Sequence, residues 1–303
     1  MTLGDWTPRE IAGASGAQSI DEVAATGANV CVFLVTAYQA TSTSSGLDSP
    51  RPPTPELDAF EAAAARASAR DLDVVLKLHV DVDDGTWRGL IRPANPESWF
   101  DAYRAFVEDC ASAAASARAT TLVVGTELAG TIDHEARWRD VVAAARARFG
   151  GEIVYAASWD EAERVPFWDA VDAVGVNFYF PVAQRRDAGR LELLAGWQPW
   201  LDRLQSLSRR TSRAVILTEV GYRSVDGAGM DPALWTTTPR VDVAEQADLY
   251  WAALTAVEGA PFIRGLWWWT YEVGAVGGPD DAGYTPRGKP ALTLLANAWG
   301  GPS

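Results

Sequence analysis

The chain has 303 residues, 48% of them hydrophobic and 22% charged, with a formal net charge of −14. That composition supports a large apolar core, and the acidic balance argues against nucleic acid or an anionic membrane as a partner. With two histidines and two cysteines the chain has too few ligands for a His-rich metal site, and no apolar run is long enough to span a bilayer.

Residues 1–18 are polar and glycine-rich, with Glu10-Ile11-Ala12 as the candidate for an opening strand. Residues 1–6 carry neither the basic nor the apolar region of a secretory signal, which leaves the cytoplasm and secretion after removal of a leader both open. A helix is expected over 19–27, closed by Gly27. Residues 29–37 read as a buried strand holding Cys31, followed by a Ser-, Thr- and Pro-rich loop over 39–55. Pro55-Glu56 opens an alanine-rich helix over 56–70. A strand at 73–82 starts apolar and ends polar, and Asp83-Asp84-Gly85 turns the chain. A helix runs from Pro96 to about 119 and contains Cys110; both thiols read as buried.

The pattern continues with a strand at 121–127, a helix at 134–149 and a strand at 152–159. A helix-like stretch at 160–170 leads to a strand at 173–180. A helix over about 191–210 precedes the strand Val215-Ile216-Leu217-Thr218-Glu219. After a loop at 223–241 come a helix at 242–258, a last strand at 262–270, a glycine-rich loop at 272–288 and a helix at 289–299. Strands alternating with helices predict a parallel sheet with helical crossovers. The count fits an α/β (β/α)8 barrel, a single domain over 1–303, whose first strand is poorly signalled.

In such a barrel the chemistry collects at the C-terminal ends of the strands. Those ends read His79 and Asp81 on the third, Glu127 on the fourth, Trp159 on the fifth, Asn177 and Tyr179 on the sixth, Glu219 on the seventh, and Trp267 and Trp269 on the eighth. Two glutamates at one rim suit glycoside hydrolysis, which needs one carboxyl group as proton donor and a second, ionised one as nucleophile or base. Their mutual repulsion raises one pKa and supplies the acid. Asn177 and Tyr179 share a face of the strand beside Glu219. A tyrosine hydroxyl there orients a nucleophile, so Glu219 is expected in that role and Glu127 as acid/base.

The substrate-binding set is expected to include His79 and Asp81 from the third strand, and Trp87 and Arg88 from the loop after it. Trp159, Tyr222, Trp267 and Trp269 complete it. The 14 tryptophans suggest flat rings that stack on sugar faces. Trp269 is favoured over Trp267 as the platform, and Trp235 is a candidate cleft wall. Lys77 shares the face of His79 one layer deeper and reads as a structural brace. The run from Asp81 to Gly85 reads as a solvated acidic turn, since its spacing fails the EF-hand pattern.

Several blocks carry a resemblance. They are Leu76-Lys77-Leu78-His79-Val80-Asp81, Gly85-Thr86-Trp87-Arg88-Gly89-Leu90-Ile91 and Ser98-Trp99-Phe100-Asp101-Ala102-Tyr103. They continue with Gly125-Thr126-Glu127-Leu128, Tyr155-Ala156-Ala157-Ser158-Trp159 and Gly175-Val176-Asn177-Phe178-Tyr179-Phe180-Pro181. The last are Thr218-Glu219-Val220-Gly221-Tyr222-Arg223-Ser224 and Pro286-Arg287-Gly288-Lys289-Pro290-Ala291. In this order the chain resembles glycoside hydrolase family 113, the β-mannanases, within the clan A retaining hydrolases. The resemblance implies Glu127 as acid/base and Glu219 as nucleophile. Thr126 stands where most of the clan has Asn, and Trp6 is what the chain offers for an aromatic first-strand segment.

The expected activity is therefore a retaining endo-β-1,4-mannanase cleaving mannan or glucomannan by double displacement. It would need no cofactor or metal and would act as a monomer on an oligosaccharide or polysaccharide, with no nucleic acid or membrane involved. A β-glycanase or β-glycosidase for another sugar is an alternative, because a sugar epimer is told apart by few contacts. A non-catalytic carbohydrate-binding barrel is a second, and a metal-dependent hydrolase a third that two histidines disfavour.

Overall fold

A computed structural model describes residues 1–48, 53–234 and 240–300. Trp235 falls outside the described residues. The strands are β1 Thr2–Gly4, β2 Val30–Gln39, β3 Asp73–Val82, β4 Thr121–Thr126, β5 Glu152–Ser158, β6 Ala173–Phe178, β7 Val215–Val220, β8 Ile263–Trp268 and β9 Tyr271–Glu272. The helices are α1 Ala14–Ala25, α2 Leu57–Ser68, α3 Pro96–Ser116, α4 Glu135–Arg148, α5 Arg190–Thr211, α6 Val243–Glu258 and α7 Pro290–Trp299. Every strand pairing is parallel. The order runs β8 back to β1 and on to β9, the short continuation of β8 past Trp269 and Thr270. The sheet thus comes round on itself as a (β/α)8 barrel.

Two sequence expectations fail at the start of the chain and after β5. The opening strand is Thr2–Gly4, and Glu10–Ala12 forms a single 3-10 turn instead. The cause is Asp5, whose carboxylate accepts from the N–H groups of Thr7 (2.9 Å) and Ile11 (2.7 Å) and curls the backbone between them. Residues 160–170 make turns rather than a helix. Pro166 has no N–H to give and disfavours a helical Val165. β5 therefore returns to β6 without a helical crossover.

The barrel interior is layered. Val32, Val75, Val123, Val154, Ala156, Ala173, Ile216 and Trp267 form a closed cluster at its floor. Alternation along β3 then lifts Val75, Lys77, His79 and Asp81 in steps from floor to rim. The outer core lies between strands and helices and includes Trp268, which stacks on Tyr250 of α6 with ring centroids 3.8 Å apart. Cys31 and Cys110 are buried free thiols in that layer.

Candidate active site

Both glutamates sit just past a register irregularity. The β4–β5 pairing shifts between Val123 and Thr126, and the β6–β7 pairing shifts where Asn177 meets Glu219. An extra residue at a strand end re-aims the next side chain. Gly125 permits the first shift, because a Cβ there would lie 2.8 Å from the buried Trp138 ring. Glu127 itself takes a left-handed backbone, φ 53°. Its N–H donates to Ala156 O at 2.8 Å.

The two carboxyl groups open on one cavity of about 490 Å³, lined also by Trp87, Arg88, Trp159, Tyr179, Trp269 and Tyr284. Their partners differ. Glu127 Oε1 accepts from Asn177 Nδ2 at 3.0 Å, and Oε2 accepts from Trp87 Nε1 at 3.2 Å. Glu219 Oε1 accepts from the Lys77 ammonium at 2.6 Å, and Oε2 accepts from the Tyr179 hydroxyl at 2.8 Å. Lys77 also donates to Thr218 O (3.0 Å) and Asn177 Oδ1 (3.2 Å), and the Thr218 hydroxyl donates to that same Oδ1 at 2.9 Å. Asn177 and Lys77 thus tie the two acids into one network. Asn177 was placed beside Glu219 by sequence, but its own donor goes to Glu127.

Burial pushes the Glu127 carboxyl above its usual value, and the Glu219 charge adds to the rise, while Arg88, Asn177 and Trp87 oppose it. Burial pushes Lys77 down, offset by its contact with Glu219. Burial, with the cations Arg88 and Lys77, holds His79 well below its usual value, so its imidazole is neutral at pH 7. His79 Nε2 has no hydrogen-bond partner among the described residues and lies 3.7 Å from Glu219 Oε1. The imidazole stacks with Trp269 at 6.0 Å. Asp81 holds Arg88 through Nη2 (2.5 Å) and Nε (3.2 Å), presenting the guanidinium to the cavity. Trp159 packs between the cavity and the rings of Phe180 and Trp200.

Two members of the expected binding set lie elsewhere. Trp267 belongs to the floor cluster at the opposite end of the barrel and borders a separate polar cavity there. It shares the inward face of Trp269, but one layer down. Tyr222 is fully buried in the outer core. Counted in steps of two from Glu219, Tyr222 falls on the opposite face, in agreement with its burial in the outer core. Conversely, Lys77 does more than brace the barrel, since it contacts a carboxylate at the rim. A lysine alternating with Val75 and His79 on an inward face was the available signal. Tyr284, in the glycine-rich loop, had none. Among the described residues no cluster of metal-ligating side chains occurs, and no helix is long and apolar enough to cross a membrane.

The model of glycoside hydrolase family 113 matches residues 2–289. The solved structure of a GH113 β-1,4-mannanase in a complex is similar at TM-score 0.91 and 21% identity, covering 100% of this chain and 98% of that one. The GH113 β-mannanase AaManA from Alicyclobacillus acidocaldarius, in complex with ManMIm, is similar at TM-score 0.90 and 26% identity, covering 99% and 96%. A β-glucuronidase from Ruminococcus gnavus shares the fold alone, at TM-score 0.66 and 13% identity, over 95% of this chain and 46% of its own. Comparison with curated proteins returned no match.

Proposed function

The chain belongs to glycoside hydrolase family 113, and on that premise we propose that it cleaves β-1,4-mannosidic bonds in mannan or glucomannan by double displacement. Glu219 attacks the anomeric carbon as the bond to the leaving sugar breaks, and Glu127 gives its proton to the departing oxygen. A glycosyl ester on Glu219 results. Glu127, now ionised, takes a proton from water, the water oxygen bonds to the anomeric carbon, and Glu219 leaves as carboxylate.

The observation that carries this reading is the contrast between two carboxyl groups on one cavity. Glu219 is held by an ammonium and a phenol, which stabilise its negative charge and aim it. Glu127 is raised above the usual carboxylate range and meets only neutral donors. Trp269 and Trp159 give the cavity flat apolar faces for a sugar ring, and Arg88, fixed by Asp81, supplies hydrogen bonds to hydroxyls. The mannanase structures in the same family favour mannose over other sugars.

Release of reducing ends from mannan tests the proposal. Glu219→Ala is expected to lose activity by roughly 10⁴-fold or more. Added azide should then restore turnover in Glu127→Ala with a β-configured mannosyl azide, since it enters on the face that water uses. Full activity in either variant, or no cleavage of mannan by the unaltered enzyme, would sink the assignment.

A further inference from the structure

Behind Glu127, on the outer side of the barrel wall, lies a second carboxylate that the reaction does not touch. Glu161 follows β5 and is fully buried. Its Oε1 accepts from the Tyr155 hydroxyl, and its Oε2 accepts from Ser158 N (3.0 Å) and the Ser158 hydroxyl (3.3 Å). Tyr155 points outward from β5 into an aromatic cage of Trp138, Phe167 and Trp168. Its oxygen accepts from Leu128 N at 3.0 Å.

That last bond matters because Leu128 follows Glu127. A non-glycine residue at φ 53° is held against a conformational preference of about 1–2 kcal/mol. Two successive N–H groups hold it there. Glu127 N is anchored on Ala156 O, and Leu128 N on the Tyr155 oxygen. A phenol has one proton. With that proton committed to Glu161, the Tyr155 oxygen presents its lone pair to Leu128. The Glu161 carboxylate therefore fixes the direction of the hydroxyl, and the hydroxyl fixes the peptide that aims Glu127. Burying a carboxylate behind the barrel wall is a poor way to stabilise it, because apolar groups of that shape serve better. Burial pushes this carboxyl up to about 7, its hydrogen bonds oppose the rise, and the Glu127 charge adds to it.

We infer that Glu161 and Tyr155 are positioning residues for Glu127, acting through the Leu128 N–H. The inference rests on the functional reading above, in which Glu127 is the proton donor. It separates from a merely structural role by its dependence on the leaving group. A sugar leaving group needs the proton, whereas 2,4-dinitrophenolate does not.

The experiment compares the unaltered enzyme with Tyr155→Phe and Glu161→Gln on mannohexaose and on 2,4-dinitrophenyl β-mannobioside. In each variant kcat/KM for mannohexaose is expected to fall by about 10- to 100-fold. For the dinitrophenyl substrate kcat/KM is expected to hold within about two-fold, while kcat and KM fall together because the second step still needs Glu127 as base. Partial unfolding lowers both kcat/KM values by one factor, so their ratio is unaffected by it. Equal losses on both substrates, or undiminished cleavage of mannohexaose, overturn the inference alone. Inactivity of the unaltered enzyme on both substrates overturns the functional reading, and this inference with it.

Discussion

Glu127 and Glu219 close neighbouring arcs of one rim, each just past a register shift, yet their surroundings are built oppositely. Glu219 is almost fully buried against a cation drawn from β3 and a phenol that follows β6. Glu127 is half-buried, touches neutral N–H donors, and takes its backbone shape from β5 behind it. The residue type is the same, so the difference in proposed role comes from what each strand's neighbours deliver. It follows that each carboxylate should respond to a different set of substitutions.

After loss of the nucleophile itself, the largest expected effect is that of Glu127→Gln, which keeps the shape and removes the proton. Hydrolysis of mannan should drop about 10²- to 10⁴-fold, with far less loss of the first step on dinitrophenyl substrates. Stability should move the other way. The folded state raises this carboxyl above 4.5, so the folded protein binds the proton more tightly than the unfolded chain. Its contribution is complete below the unfolded value and is lost as pH rises through the folded one. Above that window the desolvated carboxyl is a cost, and Glu127→Gln is expected to raise Tm by a few degrees at neutral pH. That gain should vanish well below pH 4.5, where both states are protonated. A Tm change independent of pH would break the electrostatic half of the comparison.

Lys77→Met addresses the other side. It removes the 2.6 Å charge-assisted bond to Glu219 and leaves that carboxylate buried without its cation. A bond of this kind is worth about 1.5–3 kcal/mol, or roughly 10- to 150-fold in kcat/KM. The loss should be the same for sugar and dinitrophenyl leaving groups, because both need the nucleophile. A loss confined to sugar leaving groups would place Lys77 with Glu127 and dissolve the contrast.

How much of this was legible in the sequence depends on range. The run 73–82 was read as a strand and is one, since its β-branched core and polar end report local burial. The rim carboxylates follow from their place at the C-terminal ends of strands, because position along a strand maps onto height in a barrel. Depth was less readable. Trp267 and Trp269 alternate alike, and only the tilt and register of β8 put one at the floor and the other at the cavity. Lys77 looked like a brace because its partner lies 142 residues away. Thr2–Gly4 is too short to show a period, and Pro166 denied a helix that composition alone suggested.

Trp87→Phe gives a smaller effect on the Glu127 side. The exposed indole donates to Oε2 at 3.2 Å. A neutral bond of this type is worth about 0.5–1.5 kcal/mol, so kcat/KM should fall by roughly 2- to 13-fold. The indole N–H favours the ionised form, so its loss raises Glu127 further. The alkaline limb of the pH–rate profile should then move to higher pH. A shift downward would show that Trp87 does not donate to Glu127 in the working enzyme.

Tyr222→Phe should do the least. Tyr222 lies soon after Glu219 in sequence and belongs to the expected binding set, but its ring is buried in the outer core and does not border the cavity. Its hydroxyl has no hydrogen-bond partner among the described residues, so removing the oxygen deletes a desolvated group and no bond seen there. The change should leave kcat/KM for mannan within about two-fold, with KM and the pH profile unaltered, and Tm equal or higher. A KM rise confined to this variant would mean that substrate reaches behind β7. In that case nearness to Glu219 in sequence would outweigh burial, and the division between a rim that binds and a wall that only packs would fail.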